Sequence, residues 1–250
     1  MSETYNDTKW QLDSIRFIIF CDKEVEFPKK ELSRKITNKE KVVTMSPSPS
    51  KDSSVFDKQY MEIVPLDESA IKQFHLTIFE NKNIFDFQLM SDNDKTYYTL
   101  SEINDQVNSF YSSLKSVFDY FKDSVIRIGK VVELSIPIND DITACNFIKN
   151  NFKVLNNFDQ NLSEINLKLN KIYTHNDINI NRVIRILTGQ KISFDTEASN
   201  PKADIINSVL LNIDVNTDAN KKELLDLESF YASMSNALSN LILNGGAYDG

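Results

Sequence analysis

Asp67, Glu80 and Lys82 are the nearest approach to a catalytic pattern in this chain. In metal-dependent nucleases an aspartate and a Glu-x-Lys unit on the next strand hold magnesium between two carboxylates, and the lysine positions or activates the attacking water. Here Pro65 precedes the aspartate by two residues. Asn81-Lys82-Asn83 reads as a hairpin connection, which puts Glu80 and Lys82 at a turn rather than within a strand. A solvated turn competes with the metal site, because short Asp/Glu/Lys spacings arise easily in a chain that is 26% charged. Magnesium belongs to this alternative alone; otherwise no cofactor or metal is expected.

A phosphate-binding arm is the second candidate. Between Pro28 and Lys51 seven basic residues stand against Glu31 and Glu40, so this stretch carries +5; the whole chain carries −8, leaving −13 for the remainder. Lys29, Lys30, Arg34 and Lys35 would be its phosphate contacts. Lysines in a stretch that ends in SPSPSKDSS more commonly mark a solvated loop.

Other chemistries find less. There is no Gly-x-Ser-x-Gly elbow, and His75 and His175 are the only histidines that could serve as a general base. His75 reads as a packed or surface strand residue. The five glycines form neither Gly-x-Gly-x-x-Gly nor a Walker loop, and Gly189 reads as a turn. Cys21 and Cys145 lie in apolar stretches and read as core residues; two cysteines and two isolated histidines make neither a disulfide framework nor a zinc site. Asp214-x-Asn216-x-Asp218 imitates the opening of a calcium loop. Ala219 stands where the glycine belongs and Leu225 where the bidentate glutamate belongs, so these residues read as a strand-to-helix connection.

The elements that would position such residues are more legible. Residues 15–21 form a short apolar strand, and the stretch from 28 to 56 is a mobile Lys/Ser/Pro insertion. Strand signals follow at Tyr60–Pro65, Phe74–Glu80 and Ile84–Met90, then a short Tyr97–Leu100 segment. Thr99 and Glu102 are spaced as a capping box. The helix over residues 101–122 carries Ile103, Val107, Phe110, Leu114, Val117 and Phe121 as one apolar stripe. Val125–Ile138 is a long strand with a bulge expected at Gly129, and Ile142–Phe152 is a short helix. Leu162–Tyr173 and Asn179–Leu187 form a hairpin pair, while Val209, Leu211, Ile213 and Val215 alternate most clearly. A second long helix, capped by Asp218 or Asn220, aligns Leu224, Leu227, Phe230, Met234, Ala237 and Leu241, and ends at Asn244-Gly245-Gly246.

The Ser-Phe-Tyr-x-Ser core of the first helix, Ser109–Ser113, recurs at Ser229–Ser233 in the second. Strands followed by a helix, twice, predict an α+β fold in which one or two antiparallel sheets pack with two long amphipathic helices as a two-half pseudo-repeat. The halves are residues 1–123 and 124–250, packed as one unit.

The segment Leu100–Phe121 followed by Val125-Ile126-Arg127-Ile128-Gly129, with the late Leu210-Leu211-Asn212-Ile213-Asp214-Val215 strand before Glu223–Leu243, resembles a sporadically distributed family of uncharacterised bacterial and archaeal proteins. That family has an arginine-hydrophobic-glycine strand after its central helix and a Leu-Asp-Ile-Asp-like strand before its last one. This chain departs from it at Asn212, at Lys130 and in the Lys/Ser/Pro insertion. The resemblance implies no activity. The family's patchy distribution implies mobile genes, among them defence and toxin–antitoxin islands.

No stretch is apolar for the roughly 20 residues a bilayer requires, and MSETYNDTKW lacks the basic start and apolar core of a signal peptide. A cytoplasmic protein without membrane contact is expected. Its expected function is a non-enzymatic protein-interaction subunit, antitoxin-like, adaptor or sensor, of a bacterial defence or toxin–antitoxin-type system. The partner would be another protein encoded nearby, and a basic one would suit an acidic chain. A metal-dependent nuclease or nucleic-acid-processing subunit is the alternative, and a chaperone-like holdase with apolar grooves is a further one. Homo-oligomerisation is left open.

Overall fold

A computed structural model describes residues 8–26, 58–62, 74–81, 83–91, 96–152, 162–194, 203–220 and 223–244. The chain is α+β. Among the described residues its strands are β1 (Gln11–Cys21), β2 (Lys58–Glu62), β3 (Phe74–Asn81), β4 (Ile84–Ser91), β5 (Val125–Pro137), β6 (Asn166–His175), β7 (Ile178–Phe194) and β8 (Ala203–Thr217). They form one eight-stranded sheet in the order β2-β3-β4-β1-β5-β8-β7-β6, and every pairing is antiparallel. The first four strands are ordered first–fourth–third–second outward from the middle, and so are the last four. β1 and β5 join the two sets, with Phe17 opposite Lys130.

Among the described residues four α-helices accompany the sheet: α1 (Leu100–Leu114), α2 (Phe118–Phe121), α3 (Asp141–Asn151) and α4 (Leu227–Leu243). None is long and apolar enough to cross a membrane. Period-two burial shows which face they cover. Ile15, Phe17 and Ile19 of β1, Ile128, Val132 and Leu134 of β5, and Val209, Leu211, Ile213 and Val215 of β8 all join one apolar core with the stripes of α1 and α4. Burial of that core is the main force holding helices to sheet. The alternate residues lie on the other face, which no helix among the described residues covers: the helix-free face.

The capping box at the start of α1 is complete: Thr99 Oγ1 accepts from the Glu102 amide at 3.3 Å, and the Thr99 amide donates to Glu102 Oε2 at 2.7 Å. The first helix is not continuous to Phe121. A 3-10 turn at Lys115–Val117 interrupts it, with the Lys115 amide bonded to the Ser112 carbonyl. Ser113 Oγ donates to the Phe110 carbonyl at 2.6 Å just before the break and competes with the helical ladder there. α4 begins at Leu227 with Asp226 as its cap, not Asp218 or Asn220. Asp218 instead accepts the Asn220 amide in a local turn at 2.9 Å, and the Leu225 amide bonds the Val125 carbonyl of β5. Leu224 therefore precedes the helix and is exposed.

Gly129 makes no bulge; it pairs in register with Ile18 and Asn216, and the sheet's irregularities at β1 fall at Leu12/Ser14 and Phe20/Cys21. Gly189 lies inside β7, where an added Cβ would stand 3.0 Å from Leu210 Cδ1, so close strand packing rather than a turn explains it. Strand β2 runs Lys58–Glu62, earlier than the expected Tyr60–Pro65. Near Tyr98 the chain makes only a single bridge to Trp10 before α1 starts. The β6–β7 hairpin turns on Asn176 and Asp177, with φ of 47° and 60°, the left-handed pair a two-residue turn requires.

Candidate functional site

The residues singled out for chemistry are mostly not placed. Asp67, Lys82, Lys29, Lys30, Arg34 and Lys35 lie outside the described residues, as does the 28–56 insertion apart from its surroundings. Glu80 is described in its backbone only. It lies within β3, opposite Lys58 on one side and Phe85 on the other, rather than in the turn itself. Among the described residues no group of three or more His, Cys, Asp or Glu could hold a metal ion. Asp214 and Asn216, the opening of the failed calcium pattern, sit in β8 as same-face neighbours, and Asn216 Nδ2 donates to Asp214 Oδ1 at 2.9 Å.

What the sheet does assemble is a polar network on its helix-free face. Alternation turns Ser14 and Arg16 of β1, Asp86 of β4, Glu133 of β5, Asn212, Asp214 and Asn216 of β8, and Asn181 of β7 to this side. Ser14 Oγ donates to Glu133 Oε2 at 2.7 Å, and Asn212 Nδ2 to the other oxygen of that carboxylate at 3.1 Å. Arg16 forks onto the buried Asp86. Asn170, Asn181 and Asn216 pass hydrogen bonds from strand to strand, at 3.4 and 3.2 Å, until they reach Asp214. Burial pushes the Asp214 carboxyl above its usual range; the Asn216 bond and the charges of Arg127, Arg16 and Lys168 work against that rise. Arg127 lies over the Phe20 ring, 4.7 Å from its centroid, and its Nε is buried with no hydrogen-bond partner. Such a face can offer oriented donors and acceptors to another polar surface at little further cost in side-chain ordering.

A second cluster lies under the helices. Lys130, on the core face of β5, has no exposed surface. Its Nζ donates to the Tyr231 carbonyl at 3.2 Å and to Ser235 Oγ, and lies 3.2 Å from the Tyr231 ring centroid and 4.4 Å from that of Tyr111. Burial first, and the charge of Lys115 second, push its amine well below the usual lysine range. The two oxygens and two ring faces act the other way, since each stabilises an ammonium. Tyr111 donates its hydroxyl to the Arg16 carbonyl at 3.0 Å, whereas the buried hydroxyl of Tyr231 has no partner. Sealed from solvent, the Lys130 amine is a packing group and not an accessible nucleophile.

His175 closes the β6–β7 hairpin onto α4. Its Nε2 shares a 2.9 Å hydrogen bond with Ser229 Oγ, and its ring meets Phe230 edge-on at 5.0 Å. Both cysteines are buried and free, and burial raises each thiol above its ordinary range.

Lys130 enters the sequence reading only as a departure from a family pattern. The signal that finds it is period two: Ile128, Lys130, Val132 and Leu134 share a face, so a lysine stands where the core demands an apolar group. The network on the other face shows no comparable signal, because Asn and Ser between β-branched residues read simply as solvent-facing positions. Compared with known proteins, the chain matches no family model, no curated protein and no solved structure.

Proposed function

We propose that this chain is a non-enzymatic protein-interaction subunit, an antitoxin-like, adaptor or sensor component of a bacterial defence or toxin–antitoxin-type system, acting in the cytoplasm. The observation that carries the reading is the face that no described helix covers, where three hydrogen-bonded groups, Arg16–Asp86, Ser14–Glu133–Asn212 and Asn170–Asn181–Asn216–Asp214, together span β4 to β6. Side chains already held by their neighbours lose little freedom when a partner docks, which is how a polar surface gains affinity. The shared strand order of the two halves and their Ser-Phe-Tyr helices support an origin by duplication, which would make the broad sheet from two smaller ones.

Native affinity purification from source cells, with mass spectrometry of the eluate, tests this. A protein encoded nearby should co-purify at fixed stoichiometry, and Asn181→Arg with Asn212→Arg on the helix-free face should abolish its retention while the circular dichroism spectrum stays unchanged. Retention of no protein, or equal retention by the folded double variant, would overturn the reading.

A further inference from the structure

The described sheet ends in two unlike edges: β2, with five residues, and β6, with ten. β6 pairs with β7 in unbroken register and contains no bulge and no proline, so lysine is the one common edge-blunting device it carries. The direction of its free main-chain groups follows from the hairpin. A two-residue turn at Asn176-Asp177 makes His175 and Ile178 a hydrogen-bonded pair, and the bond from the Thr188 amide to the Ile165 carbonyl keeps the same parity at the other end of the strand. Odd-numbered residues of β6 therefore bond to β7. The amides and carbonyls of Asn166, Lys168, Asn170, Ile172 and Thr174 point outward, and among the described residues no backbone group meets them. Their side chains share the helix-free face, and all five are exposed.

Two of the five have contacts to spare. Ile172 is 55% exposed, a large apolar side chain at the rim of a polar face. Asn170 is the last amide of the chain that runs out from Asp214. Its Nδ2 donates to Asn181 Oδ1 at 3.4 Å, while its own Oδ1 accepts no bond among the described residues.

We infer that β6 pairs with β6 of a second copy of this chain, antiparallel about a two-fold axis at Asn170. An axis perpendicular to the sheet keeps like faces together, so even-numbered residues meet even-numbered ones, which are those with outward main-chain groups. Centred on Asn170, the register sets Asn166 opposite Thr174, Lys168 opposite Ile172 and Asn170 opposite itself; between them Leu167 meets Tyr173 and Leu169 meets Lys171. No lysine directly faces a lysine, whereas a centre at Lys171 would set that residue against its own copy. A centre at Leu169 would set Ile172 against Asn166 and keep the two Asn170 amides apart. In the Asn170 register the Lys168 stem covers Ile172 of the other copy and leaves its ammonium in water. The two Asn170 amides exchange hydrogen bonds through their free oxygens. Both helix-free faces then lie on one side, so the dimer widens the surface proposed above and does not compete with it. A single strand pair is a small interface beside the roughly 1,200–2,000 Å² of a tight complex, so dissociation in the micromolar range is expected.

Sedimentation velocity on the full chain from about 1 to 300 μM tests this, and a shift from monomer to dimer is expected as concentration rises. Asn170→Lys puts two ammonium groups on the axis and should weaken the dimer by about tenfold or more while the circular dichroism spectrum stays unchanged. Ile172→Pro removes an outward amide but no bond to β7, and should act alike. Under mild oxidation Asn170→Cys should link two chains, because its copies face each other with about 5.5 Å between Cα atoms. Lys168→Cys should not, since its copies stand four residues, about 13 Å, apart along the strand. A monomer at every concentration, an undiminished dimer of Asn170→Lys, or linkage through Lys168→Cys in preference to Asn170→Cys would each overturn the inference.

Discussion

The two groups of four strands repeat one order, and the helices that follow them repeat one Ser-Phe-Tyr core, yet the joint between them differs in charge. On β1 the core position at the joint is Phe17; directly opposite on β5 it is Lys130. The matching tyrosines of α1 and α4 differ accordingly. Tyr111 spends its hydroxyl on the Arg16 carbonyl, while Tyr231 leaves its hydroxyl without a partner and gives its ring face and main-chain oxygen to the lysine. A shared strand order thus does not require shared chemistry. One lysine amine can occupy the core when Tyr231 of its own half and Tyr111 and Phe17 of the other turn their rings to it.

Charging the other half should break this comparison most severely. Phe17→Lys would set a second buried ammonium opposite Lys130 with no carboxylate to meet it. A loss of about 3–5 kcal/mol is expected, as for a buried charge stripped of its partner. Urea denaturation measures it, and an unchanged midpoint would mean that the joint does not discriminate between the halves.

Removing the charge should have a smaller effect of opposite sign. Lys130→Met keeps the length of the chain and drops the cost of burying an ammonium, so it should be neutral or gain about 1–4 kcal/mol near neutral pH. Its pH dependence is the finer check. Because the native pKa lies below the ordinary 10.5, the unfolded chain binds more protons between those two values, and wild-type stability rises with pH across that window. The advantage of Lys130→Met should therefore shrink as pH climbs toward 10.5. An advantage constant with pH would show that the amine titrates alike folded and unfolded.

The smallest effects should distinguish the two tyrosines. Tyr111→Phe gives up a hydrogen bond and leaves the Arg16 carbonyl short of a donor, a loss of about 0.5–1.5 kcal/mol. Tyr231→Phe removes a hydroxyl that bonds nothing and should cost nothing or stabilise slightly. Equal losses, read from paired thermal melts, would contradict the asymmetry.

Much of the secondary structure was legible because it rests on neighbours in sequence. The α1 stripe from Ile103 to Leu114 and the alternation along β8 follow from periods of 3.6 and two, and the Thr99–Glu102 box from its spacing of three. The errors occurred where a local signal met a distant partner. Gly129 and Gly189 have the look of a bulge and a turn until the flanking strands pair straight through them. Asp218 has the composition of a cap, but the bond from Leu225 to Val125 ties that segment to β5 and leaves Asp226 to start the helix. Asp67 and Lys82 lie outside the described residues, and spacing alone says nothing about which strands lie side by side.

The sequence by itself determined the class of fold, the faces of its strands and helices, and the predominance of cations in β6 and β7. Tertiary structure alone decided that Phe17 meets Lys130, that the Tyr231 ring covers that amine, and that Lys168 faces Arg185. The reason is physical. Periodicity is a property of adjacent residues, whereas register is settled by turn geometry and by burial shared between segments as many as 120 residues apart, as in the repeated Ser-Phe-Tyr cores.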